Sequence, residues 1–304
     1  MTKVLEMKKP NFYCIGTQKA ATTTLHNILK NHSQIFLPNN KEAHFFDRKE
    51  RYQRGFDWYL KRFFVGAQTE KAVGSFTPEY IFFPDVAKRM NLHFEDDLKF
   101  IVVLRHPIER AISHYRMSRV RGFEPLSFKE AIDREKRRIK KGDWEFNHFS
   151  YLTRGYYYQQ LKRYLKFFPI ENFLFLVFEE DIIKNIDETI VRIQNFLGCE
   201  VESLDTTVKS NTAKSPKFFY LNHLLYKDSF LKSVFKYLVP IRTRKKIKQG
   251  LKDINRSDKV EDPDITTEEK SRLLELYYDE EINKLEKLTR LNLRLWYQME
   301  NLVR

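Results

Sequence analysis

Asn-Phe-Tyr-Cys-Ile-Gly-Thr-Gln-Lys-Ala-Ala-Thr-Thr-Thr-Leu, residues 11–25, is the stretch that decides the fold. Residues 12–15 form an apolar run typical of a buried strand, and three apolar residues then recur at helical spacing: Leu25, Ile28 and Leu29. The residues between these two patterns therefore form a short loop that joins a strand to the N-terminus of a helix. Such a loop favours anions, because its backbone N–H groups are available and the helix dipole is positive there.

The side chains of this loop strengthen the case for phosphate binding. Lys19 adds a full positive charge, and the threonines at 22–24 add three hydroxyl donors. The spacing differs from the phosphate loop of nucleotide triphosphatases, G-x-x-x-x-G-K-[ST]. Counting from Gly16, Ala21 takes the place of the second glycine and Thr22 that of the lysine. If the backbone needs a positive φ at Ala21, the alanine costs about 1 kcal/mol.

A second strand–helix junction lies in residues 99–115. Its apolar run ends at Leu104, Arg105 follows, and Pro107 stands at the first position of the predicted helix. A magnesium-dependent phosphate-loop enzyme would carry an aspartate at the end of such a strand to hold the metal. Arginine in that place instead indicates a metal-free site that binds an additional phosphate.

Strand patterns alternate with helix patterns along the chain, which favours an α/β fold. We predict a P-loop-like three-layer sandwich, with a central parallel sheet and helices on both of its faces. Lys19 and Arg105 both follow strands, so both are expected at the carboxyl edge of the sheet, where ligands bind. We expect a single domain over residues 1–304, with a helical C-terminal portion over about 266–304 that begins at a capping box, Thr266-x-x-Glu269.

Three ordered motifs resemble one enzyme family. Lys-Ala-Ala-Thr-Thr-Thr-Leu at 19–25 resembles the 5′-phosphosulfate loop of sulfotransferases that use 3′-phosphoadenosine 5′-phosphosulfate, usually K-x-G-T-T-x-L. The segment from Arg105 to Ser113 resembles the 3′-phosphate motif of that family. Asn40 to Asp47 resembles the E-x-H-F-F-D segment of the heparan-sulfate-type branch, which includes the N-deacetylase/N-sulfotransferases and the 3-O-sulfotransferases. The similarity extends along nearly the whole chain, through Trp296.

The resemblance implies a donor and a set of donor-binding residues. The donor is 3′-phosphoadenosine 5′-phosphosulfate, the product is adenosine 3′,5′-bisphosphate, and no metal is needed. Lys19 is expected to stabilise the leaving phosphate, since it is the only cation in the loop. The expected donor contacts are Gln18, Lys19, Ala20, Ala21, Thr22, Thr23, Thr24, Arg105, Ser113 and Tyr156, together with a lid lysine that is either Lys214 or Lys217.

The resemblance also places the catalytic base at Glu42. A carboxylate can take a proton from a hydroxyl or an amine if partial burial raises its pKa. His44 lies two residues on, on the same side of a segment expected to be extended, and it binds the acceptor or acts as the base instead. Many members of the branch carry a lysine before the T-P-x-Y element, whereas this chain has Phe76, which argues against heparan itself as the acceptor.

Composition and charge limit the possible binding partners and the cellular compartment. The chain has 55 Lys and Arg against 41 Asp and Glu, a net charge of +14, which favours an anionic partner. We expect a glycan, glycolipid or small-molecule acceptor, anionic ones included, and no nucleic acid. No apolar run approaches the about 20 residues that cross a bilayer, so no transmembrane segment is expected. Two cysteines make neither a disulfide scaffold nor a zinc site, and we expect a cytoplasmic protein with Cys14 in its core.

The sequence thus predicts an enzyme that moves a sulfuryl group to a hydroxyl or an amine of a glycan or glycolipid. Sulfation of a secondary metabolite or of a carrier-tethered hydroxyl is an alternative within the same chemistry. A phosphate-loop kinase or nucleotide triphosphatase is a second alternative, which a requirement for magnesium would reveal. A non-enzymatic polyanion-binding protein, with its nucleotide site decayed at Ala21, is a third. The acceptor, the position of sulfation and the oligomeric state stay open.

Overall fold

The structure is a computed structural model, and it describes residues 7–95, 97–208, 215–216, 256–257 and 263–298. The chain divides into two compact units. The first unit comprises Met1–Pro107, Tyr156–Ser210 and Ser271–Arg304, and the second comprises Ile108–Gly155 and Asn211–Lys270. The expectation that residues 1–304 act as one domain stays a prediction.

The first unit is built on a five-stranded sheet. Its strands are β1 (Phe12–Gly16), β2 (Ile35–Phe36), β3 (Ala72–Phe76), β4 (Lys99–Leu104) and β5 (Phe173–Val177). They lie in the order β2-β3-β1-β4-β5, and all four pairings are parallel. The predicted parallel sheet is therefore confirmed. Because β1 pairs directly with β4, the carboxyl ends of these two strands are neighbours.

The helices among the described residues are numbered in chain order. They are α1 (Thr22–Leu29), α2 (Lys49–Tyr52), α3 (Phe56–Phe63), α4 (Val86–Asn91), α5 (Pro107–Val120), α6 (Phe128–Asp133), α7 (Glu135–Arg138), α8 (Asp143–Phe149), α9 (Tyr157–Tyr164), α10 (Ile186–Leu197) and α11 (Thr267–Thr289). A π-helical segment, Phe178–Lys184, follows β5. Two further strands, β6 (Ser215–Pro216) and β7 (Arg256–Ser257), pair antiparallel with each other.

Alternate residues of the central strands face two different helical layers. Phe12 and Cys14 of β1 pack in one cluster with apolar residues of α1 and α10. Tyr13, between them, faces the other layer, where its hydroxyl lies 3.2 Å from that of Tyr59 on α3. In β4 the ring of Phe100 packs edge-on against that of Tyr164 on α9. Both faces of the sheet are thus covered, which explains the continuous apolar runs in its strands and confirms the three-layer prediction.

The second unit corrects two sequence predictions. The sequence of residues 126–141, rich in lysine and arginine, predicts one basic helix, but these residues form α6 and α7, with Arg134 between them. Glu135 is buried and accepts hydrogen bonds from the backbone N–H groups of Leu152 and Thr153, both at 2.7 Å. This tertiary contact orients α7, and charge patterning along the chain carries no signal of it. The sequence predicts a connecting loop over residues 142–155, but these residues contain α8.

The C-terminal portion is helical, as predicted. At the start of α11 the N–H of Thr266 donates to the Glu269 carboxylate at 2.9 Å, and the N–H of Glu269 donates to the Thr266 hydroxyl at 3.2 Å. This is the predicted capping box. Four residues at helical spacing in the sequence predict one apolar face of this helix, and all four are buried: Leu274, Tyr278, Ile282 and Leu285.

A short 3₁₀ turn after α11 carries the buried Trp296. Its indole N–H donates to Glu179 at 3.1 Å, and its carbonyl accepts from Nε2 of His106 at 3.0 Å. The other oxygen of Glu179 accepts the backbone N–H of His106 at 2.9 Å. Trp296 and Glu179 therefore fix the residue that directly follows Arg105.

Two further properties of the chain concern membranes and thiols. Across the ranges that the structure describes, no helix combines the length and the apolar character needed to span a bilayer.

Cys14 is buried in β1, as predicted, and burial raises the pKa of its thiol to about 12. Cys199 is also buried and also a free thiol. Both thiols stay protonated at neutral pH, which leaves them unreactive.

Candidate active site

The loop after β1 is tied to β4. The backbone N–H and the hydroxyl of Thr17 both donate to the carbonyl of Val103, each at 2.9 Å. The next residue, Gln18, donates through its side-chain amide to Glu79 at 2.6 Å. Thr17 and Gln18 thus hold the loop between β4 and the Thr77-Pro-Glu-Tyr80 element that follows β3.

The loop backbone turns through the left-handed region at two residues that are not glycine. Lys19 has φ of 75° and Ala21 has φ of 54°. Ala21 is the residue before α1, and within the described residues no side chain caps that end of the helix. The first N–H groups of α1 are therefore available to a bound anion. The positive φ considered for Ala21 from the sequence is present in the structure.

This geometry predicts that Ala21→Gly stabilises the protein. The substitution removes the steric penalty of a Cβ at positive φ, and we expect a gain of about 1 kcal/mol in the free energy of unfolding. Denaturant unfolding monitored by circular dichroism measures it. The matched control is Ala20→Gly, because Ala20 is buried and is not among the residues with positive φ. That control should lower stability, and a loss of stability in Ala21→Gly would contradict the prediction.

Arg105 reaches the same loop from the end of β4. Its guanidinium donates to the carbonyl of Lys19 at 2.7 Å, and it lies 4.6 Å from the centre of the Phe178 ring. The carbonyl of Arg105 accepts the hydroxyl of Tyr157 at 2.8 Å. The expected meeting of the two strand ends is thus present in the structure. A guanidinium has five N–H donors in a planar fork that matches the geometry of a phosphate.

The segment from Glu42 to Asp47 forms a compact ion cluster. One imidazole nitrogen of His44 lies 3.3 Å from the Glu42 carboxylate, and the other lies 2.7 Å from Asp47 and 3.9 Å from Glu79. His44 and Glu42 do meet, but not through an extended segment as predicted. His44 has φ of 46°, so a left-handed turn at that residue brings its ring back to Glu42.

The cluster sets the pKa values of Glu42 and His44. Burial opposes the charged form of both groups, but hydrogen bonds and charges within the cluster outweigh it. Hydrogen bonds from His44 and the charge of Lys41 lower the pKa of Glu42 to about 2, whereas Asp47 and Glu42 raise the pKa of His44 to about 9. At neutral pH the pair is therefore carboxylate and imidazolium. The raised pKa that was the condition for Glu42 to act as base is therefore not present in the free protein.

Tyr80 positions this segment. Its buried hydroxyl accepts the backbone N–H groups of Phe45 at 3.0 Å and Phe46 at 3.4 Å, and its carbonyl accepts the hydroxyl of Tyr164 at 2.9 Å. The T-P-x-Y element therefore has a structural task here. Phe76, just before it, is fully buried and packs edge-on against Phe12, so it offers no polar contact to a ligand.

Lys41 is the residue that sequence reasoning missed. Its ammonium lies 2.9 Å from the hydroxyl of Thr23, 3.2 Å from that of Thr22 and 3.1 Å from the Glu42 carboxylate. The sequence signal is its position directly before Glu42. Its side chain is 15% exposed, and it connects the threonines of the loop to the proposed base.

The other predicted donor-binding residues lie on several different elements. Ala20 is buried in the core cluster of β1 and α1. Ser113 lies on α5 in the second unit, and Tyr156, at the start of α9, packs against Tyr278 of α11 with ring centres 5.1 Å apart. Lys214 and Lys217 lie outside the described residues. The binding roles of all these residues stay predictions.

Three side chains of the ion cluster also lie at metal-ligand spacing. One ligand atom from each of His44, Asp47 and Glu79 falls within 4.8 Å of the others. A histidine must be neutral to ligate a metal, however, and His44 is an imidazolium at neutral pH because its pKa is raised to about 9. Ion pairing accounts for the arrangement in the free protein, and the absence of metal ligands stays a prediction that a chelator test examines below.

The known proteins with similar sequences and folds described here are all sulfotransferases. A family model described as the sulfotransferase domain matches residues 9–251. The human heparan sulfate glucosamine 3-O-sulfotransferase 6 is 30% identical over 213 residues, which are 67% of this chain and 57% of that protein. The membrane-associated sulfotransferase kil1 of Dictyostelium discoideum is 38% identical over 111 residues, 36% of this chain and 23% of that protein. The chain thus spans less than two thirds of the length of either relative.

A solved structure extends the similarity to the whole fold. The sulfotransferase from Alicyclobacillus acidocaldarius superimposes with a TM-score of 0.66 at 25% sequence identity, over 95% of this chain and 99% of that one. The family model covers most of the residues that build the sheet, the loop and the ion cluster. The chain therefore belongs to the sulfotransferase family.

Proposed function

We propose that this protein transfers a sulfuryl group from 3′-phosphoadenosine 5′-phosphosulfate to a hydroxyl or an amine of a glycan or glycolipid. The observation that carries the proposal is the contact between Arg105 and the carbonyl of Lys19, at 2.7 Å. It brings a phosphate loop and a second cationic group to adjacent strand ends. A donor with phosphates at both its 3′ and 5′ positions needs two such groups.

The loop suits the 5′-phosphosulfate. The uncapped N-terminus of α1 supplies backbone N–H groups, and Thr22, Thr23 and Thr24 supply hydroxyls. Lys19 supplies the charge that stabilises the bridging oxygen as the sulfur–oxygen bond breaks. Arg105 holds the 3′-phosphate in this proposal, and the contacts that the resemblance implies for Ser113 and for a lysine at 214 or 217 stay predictions.

Glu42 is the proposed base. Its side chain is 40% exposed, so an acceptor hydroxyl can reach it, and it is ionised at neutral pH. A carboxylate of low pKa becomes an effective base late in the reaction, when the new bond to sulfur makes the acceptor proton acidic. His44, protonated and held by Asp47, orients the carboxylate through its other nitrogen.

The charges of the cluster predict the pH profile. Glu42 is charged above its pKa of about 2, and His44 is charged below its pKa of about 9. We therefore expect kcat/KM to be constant through neutral pH and to fall as the pH rises through about 9, with an apparent pKa that belongs to the coupled cluster. Steady-state rates with an acceptor that does not itself titrate measure this.

His44→Gln is the control for the pH profile, because glutamine keeps a hydrogen-bond donor but does not titrate. In that variant the fall near pH 9 should disappear. If His44 were the base, the rate would rise as the pH approaches 9, since the neutral form would be the active one. A rising limb would therefore transfer the role of base from Glu42 to His44.

The acceptor class rests on similarity to a relative and on the burial of Phe76. The relative that matches 67% of this chain is named for sulfation of heparan sulfate glucosamine, and a glycan acceptor is proposed on that ground. Phe76 is buried and apolar, so it cannot replace the lysine that many heparan-type enzymes carry there. We therefore propose a glycan or glycolipid other than heparan, including anionic ones.

Incubation with donor labelled in its sulfuryl group tests the function directly. The acceptors to be tested are oligosaccharides, glycolipids, amino sugars and small hydroxyl compounds. We expect at least one of them to receive the labelled sulfuryl group. Transfer should be unchanged in excess chelator, because arginine, not aspartate, ends β4. Loss of activity in chelator would favour a kinase or triphosphatase, with the cluster of His44, Asp47 and Glu79 as the metal site.

Calorimetry with adenosine 3′,5′-bisphosphate tests the donor site without the acceptor. We expect saturable binding at one molecule per chain. A polyanion-binding protein with a decayed nucleotide site would show no such binding, and that result would overturn the proposed function.

A further inference from the structure

Lys41 occupies the gap between the two parts of the proposed site. Its ammonium donates to the hydroxyls of Thr22 and Thr23 on one side and to the Glu42 carboxylate on the other. The threonines belong to the loop proposed for the 5′-phosphosulfate, and Glu42 is the proposed base. In an in-line transfer the sulfuryl group moves between leaving oxygen and acceptor oxygen, and therefore between these two partners.

The contacts of Lys41 are poor ones for a purely structural lysine. Its side chain is 15% exposed, and two of its three acceptors are neutral hydroxyls. Hydrogen bonds to neutral partners repay little of the cost of removing an ammonium from water. The carboxylate it does contact is 40% exposed, which weakens that ion pair by solvent screening. The charge is thus placed for a ligand more than for the fold.

We infer that Lys41 is a second catalytic cation, whose ammonium moves from Glu42 onto the sulfuryl group when the donor binds. This inference rests on the proposed function and adds a residue to it. Lys19 would neutralise the bridging oxygen of the leaving phosphate, whereas Lys41 would contact the peripheral oxygens of the group in transfer. The two lysines therefore have different tasks on the same donor.

The reaction step balances without any further reactant. The acceptor oxygen forms a bond to sulfur, and the bond between sulfur and the bridging oxygen breaks. The electron pair of the broken bond stays on the 5′-phosphate of adenosine 3′,5′-bisphosphate. The acceptor proton goes to Glu42, and Lys41 keeps its own protons throughout.

A shift of Lys41 onto the donor would also activate the base. Lys41 is one of the groups that hold the pKa of Glu42 low in the free protein, through both its charge and its hydrogen bond. When the ammonium turns to the sulfuryl group, it no longer donates to the carboxylate. Glu42 then becomes a stronger base only in the presence of donor, which couples donor binding to acceptor activation.

Comparison of Lys41→Ala with wild type tests the inference. We expect kcat to fall by about 100-fold, the scale of removing one fixed charge from a transition state. Binding separates this role from a structural one. Without acceptor, affinity for the intact donor should fall by about tenfold, whereas affinity for adenosine 3′,5′-bisphosphate, which lacks the sulfuryl group, should change by less than about threefold.

Lys49→Ala is the matched control, since Lys49 is an exposed lysine at the start of α2. It should leave the rate and both affinities unchanged. Lys41→Arg keeps the charge and should retain more activity than Lys41→Ala. It also provides the test if the alanine variant does not fold.

Three outcomes would overturn the inference. A rate for Lys41→Ala within about threefold of wild type would remove Lys41 from catalysis. If Lys41→Ala lost affinity equally for the donor and for adenosine 3′,5′-bisphosphate, Lys41 would have a structural role in holding the loop. If Lys41→Arg were no more active than Lys41→Ala, the charge of Lys41 would not be the property that matters. An inactive wild type that binds no bisphosphate would instead refute the proposed function itself.

Discussion

Replacing Lys19 with alanine is expected to lower kcat by about 100- to 1,000-fold, the range found when one preorganised stabiliser of transition-state charge is removed. The proposed role of Lys19 is to neutralise the bridging oxygen as the bond to sulfur breaks. Its carbonyl is held by Arg105 at 2.7 Å, so the residue is fixed before the donor arrives. Steady-state kinetics with labelled donor measures the loss, and circular dichroism checks that the fold is retained.

Glycine at the same position separates function from stability. Lys19 has φ of 75°, a conformation in which any side chain is strained by about 1 kcal/mol. Lys19→Gly should therefore be as inactive as Lys19→Ala and yet more stable than wild type. Lys30→Ala, which removes an exposed lysine at the other end of α1, is the matched control and should be fully active. Normal turnover in Lys19→Ala would disprove the assignment of the leaving-group cation.

Glu42→Ala is expected to lower kcat by about 100- to 10,000-fold, because general base catalysis contributes on that scale. The variant also removes the partner of His44 and of Lys41, so Glu42→Gln is the cleaner substitution. Glutamine keeps the shape and can still accept a hydrogen bond, but it cannot take the acceptor proton. Both variants should bind adenosine 3′,5′-bisphosphate about as well as wild type, since the base does not contact the nucleotide.

The control for Glu42 is Glu50→Gln, which changes an exposed carboxylate on α2. It should have wild-type kinetics. The assignment of the base is wrong if Glu42→Ala turns over at the wild-type rate while His44→Ala does not. In that event His44 would act through its neutral form, and the pH profile would rise toward its pKa of about 9.

Local signals made most of the fold predictable. The strand–loop–helix unit at residues 11–25 was evident from a change of apolar period, and Gly198 marked the end of α10, where it adopts φ of 75°. The predicted capping box is also confirmed, with Thr266 and Glu269 as its two partners. Such features depend on residues a few positions apart, so a sequence contains all the information that defines them.

The charges of the site were not predictable in the same way. Partial burial of Glu42 suggested a raised pKa, but His44 and Lys41 reverse the shift. The hydrogen bonds from Lys41 to Thr22 and Thr23 depend on how the chain folds back after α1. No periodic pattern in the sequence predicts them. The split of the basic helix into α6 and α7 likewise depends on Glu135 meeting residues far along the chain. Tertiary contacts decided these features.

The hydrogen bond between His106 and Trp296 joins residues 190 positions apart, and it fixes the end of β4 beside Arg105. During translation the ribosome makes the sheet strands long before it makes Trp296. A nascent chain can therefore assemble the core of the first unit while the arginine end of the donor site still lacks its final support. Nucleotide is expected to act as a folding ligand only for chains whose synthesis has passed this tryptophan.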